Sequence, residues 1–340
     1  MNKKKLLWQL PFLAFLIIGT VLIIKHQKST PYQHDSGEIF GTTYHITYQN
    51  DRNLKKEIEE VLKDVDNEFS MFNPQSTVSL INQGKSPALS PSFLEVFHLA
   101  QQVNKESNGA FDITVAPLVN AWGFGFKTQN LPSTHQVDSL LQLVGMKNIT
   151  IANTNGQQTV HLARPNMMLD FSAIAKGYGT DRVAQLLSKH DITNFMVEIG
   201  GEVFTKGNSE KRLPWSIGVS KPVEDASATN QELETILNVT DQAMATSGNY
   251  RNFYYKGGRK YAHTIDPNTG HPVQHSLLSA TVLAPTCAQA DAYATAFMVM
   301  GMEKAKEILE QHHELKAYFI YQKADGKLGV WKSNGLDERK

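Results

Sequence analysis

Residues 170–181 read Asp-Phe-Ser-Ala-Ile-Ala-Lys-Gly-Tyr-Gly-Thr-Asp, and this stretch decides how the chain folds around a functional site. The pattern predicts a strand at 167–169 that leads through small residues into a helix over 174–189. Helix N-termini carry unpaired N–H groups, so a helix start with an acid, a lysine and two glycines is suited to receive phosphates.

A second stretch, Ala-Asp-Ala-Tyr-Ala-Thr at 290–295, complements the first. Asp291 and Thr295 are four residues apart, so one face of a helix presents a carboxylate and a hydroxyl together. Mg²⁺ prefers oxygen ligands, takes few of them from the protein and completes its shell with water and substrate phosphates. This pair alone is a weak metal signal, but a metal site beside a phosphate site indicates phosphoryl-group chemistry.

The composition and the absent motifs exclude several classes of function. Lys+Arg and Asp+Glu both number 33 among 340 residues, so no overall field favours binding to nucleic acid. The sequence lacks the glycine-rich fingerprints of a dinucleotide-binding Rossmann fold and of a P-loop. It also lacks the histidine and cysteine motifs typical of zinc sites and the G-x-S-x-G motif of α/β-hydrolases.

The N-terminal region predicts attachment to a membrane. Residues 6–24 carry no charge and lie between lysine-rich flanks, and as a helix they would cover about 28 Å, close to one hydrocarbon core. The run exceeds a usual signal-peptide core and no Ala-x-Ala site follows, which favours an uncleaved signal anchor over a cleaved signal peptide. We expect an anchor at 1–28, a polar linker at 29–37 and the folded domain at 38–340. Cys287 is the single cysteine, so it allows neither an internal disulfide nor an N-terminal lipid.

Strands and helices follow each other irregularly after residue 38, which indicates an α+β fold. A first strand is predicted at 39–48, where Tyr44, Ile46 and Tyr48 lie on one side. Later strands are predicted in 149–162 (a pair) and near 195–199, 215–220, 236–239, 253–255, 278–282 and 317–321, with one long helix over 288–312. We expect a single large domain whose mixed or antiparallel sheets are packed by helices, after the N-terminal membrane anchor.

Four further segments hold candidate functional residues, and each also has an ordinary structural interpretation. The segments are 69–74, 109–125, 198–202 and 246–267. Phe72 and Trp122 are more often packing aromatics than ligand contacts. Asp112 can simply cap a turn, and the glycines at 200–201 suit a tight turn. His263 can merely flank the Asp-Pro-Asn-Thr-Gly turn that follows it.

Taken together and in order, these pieces resemble the FAD:protein FMN transferase (ApbE) family. The resemblance covers essentially everything beyond the linker, and the combined order of the motifs is specific. The motifs are Gly-Thr at 41–42, Ser-Met-Phe at 70–72, Gly-Ala-Phe-Asp at 109–112, the stretches 117–125 and 170–179, Gly-Gly-Glu at 200–202, Ser-Gly-Asn-Tyr-Arg at 247–251, His-Thr-Ile-Asp-Pro at 263–267 and the stretch 290–295.

The resemblance implies an enzyme that splits FAD, attaches FMN to a Ser or Thr hydroxyl of another protein through a phosphoester, and releases AMP with the help of Mg²⁺. By analogy, Asp291 and Thr295 look like the metal's side-chain ligands and Ala173 like a backbone carbonyl ligand. The residues that look like FAD contacts are Phe40, Phe72, Ala110, Phe111, Asp112, Asp170, Lys176 and Ile265. Phe40 stands where the family commonly has Met.

The roles of the reacting groups follow from their chemistry. His263 is the candidate general base, since an unperturbed imidazole titrates near pH ~6.5, and positioning of the substrate is its alternative role. Asp291 is the second catalytic candidate, through the metal. Two other functions stay open: an FAD pyrophosphatase with water as the nucleophile, and an FAD-binding protein without turnover.

The resemblance and the anchor also predict partners and a location. The resemblance implies an acceptor protein, a subunit of a redox complex of the NADH:quinone reductase or Rnf type. The anchor predicts the bacterial inner membrane, with the catalytic domain facing the periplasm.

Overall fold

An eight-stranded antiparallel sheet forms the centre of the fold. The computed structural model describes residues 11–20, 30–125, 131–154, 156–223, 232–250 and 253–339. The strands are β1 (Tyr32–Ile39), β2 (Thr42–Gln49), β3 (Ile149–Thr154), β4 (Gln157–Leu162), β5 (Phe195–Ile199), β6 (Glu202–Lys206), β7 (Trp215–Ser220), β8 (Leu233–Val239), β9 (Gln242–Gly248), β10 (Phe253–Lys256), β11 (Arg259–Ala262), β12 (Leu277–Ala284), β13 (Lys316–Gln322) and β14 (Leu328–Lys332).

The large sheet has the order β1-β2-β5-β6-β9-β12-β13-β14, while β3–β4, β7–β8 and β10–β11 form small two-stranded sheets. Every strand pair in the described part of the chain is antiparallel. The predicted combination of helices with antiparallel sheets is therefore confirmed.

The labelled helices cover the sheet and the segments between strands. They are α1 (Lys55–Phe69), α2 (Thr77–Asn82), α3 (Pro91–Glu106), α4 (Ala116–Ala121), α5 (Thr134–Leu141), α6 (Ala175–Lys189), α7 (Cys287–Met300) and α8 (Met302–Gln311). α7 packs on β9, β12 and α6, and it is buried on nearly all sides. Such burial is expected of a helix that is apolar all round, and Asp291 is the one charged residue in it.

The region predicted as a linker at 29–37 instead contributes most of β1. β1 is an edge strand, so its polar side chains can face water while its backbone bonds to β2. Asp35 is buried in it and accepts hydrogen bonds from the Tyr48 hydroxyl at 2.7 Å and from Asn53 Nδ2 at 2.9 Å. Residues 32–37 therefore belong to the folded domain, although they lie before its predicted boundary at 38.

The first strand, predicted at 39–48, corresponds to β2, which is the second strand of a hairpin. The chain turns between β1 and β2. Phe40 and Gly41 form that turn, with φ of 54° and 72°. Positive φ at both central residues is typical of the turn that best matches strand twist. Tyr44, Ile46 and Tyr48, which were predicted to share one side of the strand, are all buried.

Two other element predictions are corrected. The long helix predicted over 288–312 is broken into α7 and α8 by Gly301, whose φ of 80° ends the first helix. Residues 167–169 do not form a strand. The Asn82 side chain takes the place of a neighbouring strand there: its Oδ1 accepts from Leu169 N at 2.7 Å, and its Nδ2 donates to Leu169 O at 2.9 Å.

The register of β1, β2 and β5 defines two ends of the sheet. Tyr32 pairs with Gln49, and Tyr48 pairs with Phe195, so the chain enters β1 at the end where β5 begins. The turn at 40–41 and the turn at 200–201 lie together at the other end.

The predicted anchor lies partly outside the described residues. Residues 11–20 are helical and mostly exposed, whereas 6–10 and 21–24 are not described. Over the ranges that the structure covers, no helix has both the length and the apolar character needed to cross a membrane. The anchor at 1–28 stays a prediction.

Candidate active site

A cavity of about 700 Å³ opens at the end of the sheet where the turn at 200–201 lies. This volume lies within the range usual for small-molecule sites. It brings together most of the residues that the sequence singled out from distant segments. They are Phe72, Ala110, Phe111, Asp112, Asp170, Ala173, Lys176, His263, Ile265, Asp291 and Thr295.

Phe40 is the exception among the predicted contacts, because it does not belong to the lining of this cavity. Its backbone is committed to the hairpin turn, and its ring packs close to Gly179 in α6 and against the core. Phe40 therefore packs against α6, and its contact with FAD stays a prediction.

The helices α6 and α7 meet in the wall of the cavity, where a carboxylate of each helix accepts hydrogen bonds from backbone N–H groups of the other. Asp291 of α7 accepts a hydrogen bond from Gly177 N of α6 at 3.1 Å through Oδ2. In return, Asp181 of α6 accepts from Cys287 N at 2.7 Å and from Ala288 N at 2.9 Å. Each helix thus supplies an acid to unpaired N–H groups at the start of the other.

Gly177 makes this close approach possible. A Cβ at this position would lie 2.6 Å from the carbonyl carbon of Cys287 and 2.8 Å from Ala288 N, both well inside van der Waals contact. The obstacle is backbone and cannot rotate away. A glycine in the first turn of α6 costs some helix stability, and the contact with α7 offsets that cost.

Lys176 lies between two buried carboxylates. Its Nζ is 2.6 Å from Glu202 Oε1 and 3.9 Å from Asp291 Oδ1. Burial works against the charged ammonium, but the two carboxylates outweigh this and raise the pKa of Lys176. Burial also raises the pKa of Asp291, and it raises the pKa of Glu202 to about 7 although Lys176 opposes the shift.

Glu202 was missed as a site residue by the sequence analysis. It is the first residue of β6, directly after the turn in which Gly200 and Gly201 have φ of 62° and 102°. The glycine pair therefore forms the tight turn that was its ordinary interpretation, and that turn points the acid into the cavity. An acid directly after a glycine pair was the available signal, but its partner Lys176 lies far away in the sequence.

The donor set fits a divalent cation of the Mg²⁺ type. Glu202 Oε2 is buried without a hydrogen-bond partner, and one ammonium faces two carboxylates, so the site has a carboxylate oxygen that no described protein group satisfies. Within the described ranges, no three His, Cys, Asp or Glu side chains are grouped so as to hold a metal by themselves. A cation bound by Asp291, Thr295 and the carbonyl of Ala173 would need water and substrate oxygens, as Mg²⁺ commonly does.

The other two predicted carboxylates shape the loops that line the cavity. Asp112 Oδ1 accepts from Thr114 N at 2.8 Å and from Thr114 Oγ1 at 2.5 Å, while its Oδ2 accepts from Met146 N at 3.1 Å. Asp170 accepts from the backbone N and the hydroxyl of Ser172. Burial raises the pKa of both acids. The turn-capping interpretation of Asp112 is thus confirmed, and the residue still lines the cavity.

A row of aromatic rings backs one wall of the cavity, where Phe124 and His263 belong to the lining, and Phe72 lies at the exposed rim. The rings of Trp122, Tyr261, Tyr254 and Phe124 pack in sequence with centroid distances of 5.2–5.7 Å, and His263 follows at 6.4 Å from Phe124. Trp122 is buried and donates from Nε1 to Gly270 O at 2.7 Å, so it packs this wall. Phe72 instead leaves 74% of its surface exposed at the cavity.

Comparison with known proteins agrees with this geometry. A family model described as the ApbE family matches residues 40–319. An FAD:protein FMN transferase from Haemophilus influenzae is 37% identical over 313 residues, covering 88% of this chain and 89% of the relative.

Two solved structures are similar over nearly their whole length. The flavin transferase ApbE from Vibrio cholerae has a TM-score of 0.79 at 34% identity and covers 89% of this chain and 97% of its own. The apo flavinyl transferase ApbE from Pseudomonas stutzeri has a TM-score of 0.79 at 28% identity, with coverages of 91% and 96%.

Proposed function

We propose how this chain, which belongs to the ApbE family and is an FAD:protein FMN transferase, carries out its reaction. It uses Mg²⁺ and joins FMN to a Ser or Thr hydroxyl of its acceptor through a phosphoester. The observation that carries this proposal is the cluster of Lys176, Glu202 and Asp291 in a cavity that also has an exposed aromatic rim. Positive and negative groups side by side suit a diphosphate together with its cation.

Different residues of the cavity bind the diphosphate, the rings of FAD and the metal. Lys176 contributes a charged ammonium for the diphosphate of FAD, since its pKa is raised. Phe72 offers an exposed ring for stacking against a flavin or adenine ring. Asp291, Thr295 and the carbonyl of Ala173 would hold Mg²⁺, which supplies neutralisation of the charge on the diphosphate.

The transfer step exchanges one phosphorus–oxygen bond for another. The oxygen of the acceptor hydroxyl bonds to the phosphorus of the FMN half, and the bond from that phosphorus to the bridging oxygen breaks. AMP leaves with the electron pair of that bond. His263 lines the cavity and takes the proton of the hydroxyl as the general base.

An assay with FAD, Mg²⁺ and a Thr-bearing acceptor protein tests the proposal. Flavin that stays on the acceptor through denaturing gel electrophoresis, with AMP released in equal amount, is the expected result. Release of free FMN and AMP without labelled acceptor would instead identify an FAD pyrophosphatase. Stable FAD binding without AMP would identify a binding protein.

We also propose the setting in which the enzyme works. The apolar run at 6–24 supports attachment to the bacterial inner membrane, with the cavity on the periplasmic side. The acceptor is then a redox-complex subunit of the NADH:quinone reductase or Rnf type, as the family resemblance implies. Mass spectrometry of flavin-carrying proteins in cells with and without this gene would identify the acceptor, and unchanged flavinylation would contradict the assignment.

A further inference from the structure

We propose that Asp181 is a positioning residue, which holds the first turn of α7 so that Asp291 and Thr295 are presented correctly to the cation. The inference rests on the proposed function, because it takes Asp291 and Thr295 as ligands. Asp181 itself is not part of the large cavity's lining, so it acts through α7.

The start of α7 has four successive N–H groups, and each of them has a defined acceptor. Asp181 takes the first two, from Cys287 and Ala288. Thr286 takes the next two, from Gln289 N through its hydroxyl at 3.3 Å and from Ala290 N through its carbonyl at 3.1 Å. Thr286 is an ordinary N-cap from the helix's own sequence, whereas Asp181 comes from a neighbouring helix.

This second acid fixes where α7 begins relative to α6. Its carboxylate is bidentate and buried, so it restrains both the position and the rotation of the first turn of α7. Asp291 lies one turn further along and bonds back to Gly177 N. Both contacts join α6 to the N-terminal part of α7, so a shift of Cys287 relative to α6 also moves the Asp291 carboxylate.

A merely stabilising cap and a positioning residue predict different results. Loss of a helix cap alone lowers the free energy of unfolding by about 1 kcal/mol and leaves ligand binding of the folded protein unchanged. Loss of a group that orients a metal ligand typically weakens metal binding by about 10- to 100-fold. The decisive quantity is therefore the Mg²⁺ affinity of the folded protein.

The experiment titrates Mg²⁺ into the full-length protein saturated with FAD, without acceptor, by isothermal calorimetry well below the melting temperature. Asp181→Asn keeps the shape of the side chain. Its amide N–H₂ group cannot accept a hydrogen bond, so one of the two donors, Cys287 N or Ala288 N, loses its acceptor. We expect this variant to bind Mg²⁺ about 10- to 100-fold more weakly. Glu95→Gln is the matched control. Glu95 and Asp181 both line a second cavity, of about 600 Å³, but Glu95 accepts from the Tyr178 hydroxyl at 3.1 Å and, within the described chain, forms no hydrogen bond with α7, so its loss should leave the affinity unchanged.

Asp291→Asn separates the two claims. If Asp291→Asn loses Mg²⁺ binding while Asp181→Asn binds like the parent, the role of Asp181 is overturned and the metal site stands. If Asp291→Asn also binds like the parent, the metal assignment fails and the inference fails with it. Should Asp181→Asn not fold, Asp181→Ser leaves a hydroxyl that can accept only one of the two N–H groups: weaker Mg²⁺ binding supports the positioning role, and binding like that of the parent overturns it.

Discussion

Replacing Gly177 by alanine tests the junction between α6 and α7 most directly. The new methyl group would lie 2.6 Å from the carbonyl carbon of Cys287, whereas ordinary contacts begin at 3.4 Å. The obstacle is backbone, so the two helices must move apart by about 1 Å. The bond from Gly177 N to Asp291 Oδ2, now 3.1 Å, would then be lost.

The size of the effect follows from these two losses. Overpacking costs about 1–3 kcal/mol and an unsatisfied buried hydrogen-bonding group about 1–3 kcal/mol, while alanine returns up to about 1 kcal/mol of helix propensity. We expect Gly177→Ala to lower the free energy of unfolding by about 3 kcal/mol. Mg²⁺-dependent transfer should fall as well, because Asp291 moves with α7.

Gly179→Ala is the matched control, two residues along the same helix. Its methyl group would meet the Phe40 ring at 2.8 Å and the Val65 side chain at 3.7 Å, both of which are side chains. The Phe40 ring can move, so we expect a smaller loss, about 1 kcal/mol. Urea denaturation of the parent and both variants, followed by the transfer assay, checks the expectation. Equal stability of Gly177→Ala and Gly179→Ala would refute the claim that backbone contact at Gly177 sets the junction.

Three further predictions concern the cavity itself. Asp291→Ala should abolish Mg²⁺-dependent AMP release while circular dichroism stays close to that of the parent, and full activity would remove the metal assignment. His263→Ala should slow transfer by about 100-fold or more with little change in the Kd for FAD, and an unchanged rate would reduce this residue to a structural role. Burial raises the pKa of Glu202 from 4.5 to about 7, so the folded protein holds a proton that the unfolded chain releases. The free energy of unfolding should therefore fall as pH rises from 4.5 to about 7, and Glu202→Gln should lack that part of the fall; identical pH profiles in urea denaturation would contradict the shift.

The sequence pattern predicts those elements in which apolar side chains recur with the period of a strand or a helix, because such residues are buried on one face. The alternation of Tyr44, Ile46 and Tyr48 identified an inward strand face, and α6 begins within one residue of its predicted start. β1 was predicted as a linker because an edge strand carries polar side chains like those of a loop. The break at Gly301 was missed because a glycine within a helical pattern does not reveal its φ.

The residues of the site also differ in whether their roles depend on sequence neighbours or on residues that only the fold brings close. The motifs named most of the residues that line the cavity, because each motif carries its chemistry in adjacent positions. Glu202 was quoted within the Gly-Gly-Glu motif but was given no role, since that role depends on a 2.6 Å contact with Lys176 across 26 positions of sequence. Phe40 was placed at the ligand by motif position alone, and its orientation depends on the hairpin turn and on the space left by Gly179.

The register of the edge strands also determines how a large substrate can approach. The chain enters β1 beside the start of β5, and the cavity lies beyond the end of β5, about 15 Å further along the strand direction. Residue 30 and the turn at 200–201 therefore lie at opposite ends of the same strands. We expect a protein substrate that brings its hydroxyl to this turn to approach from the end of the sheet away from residue 30.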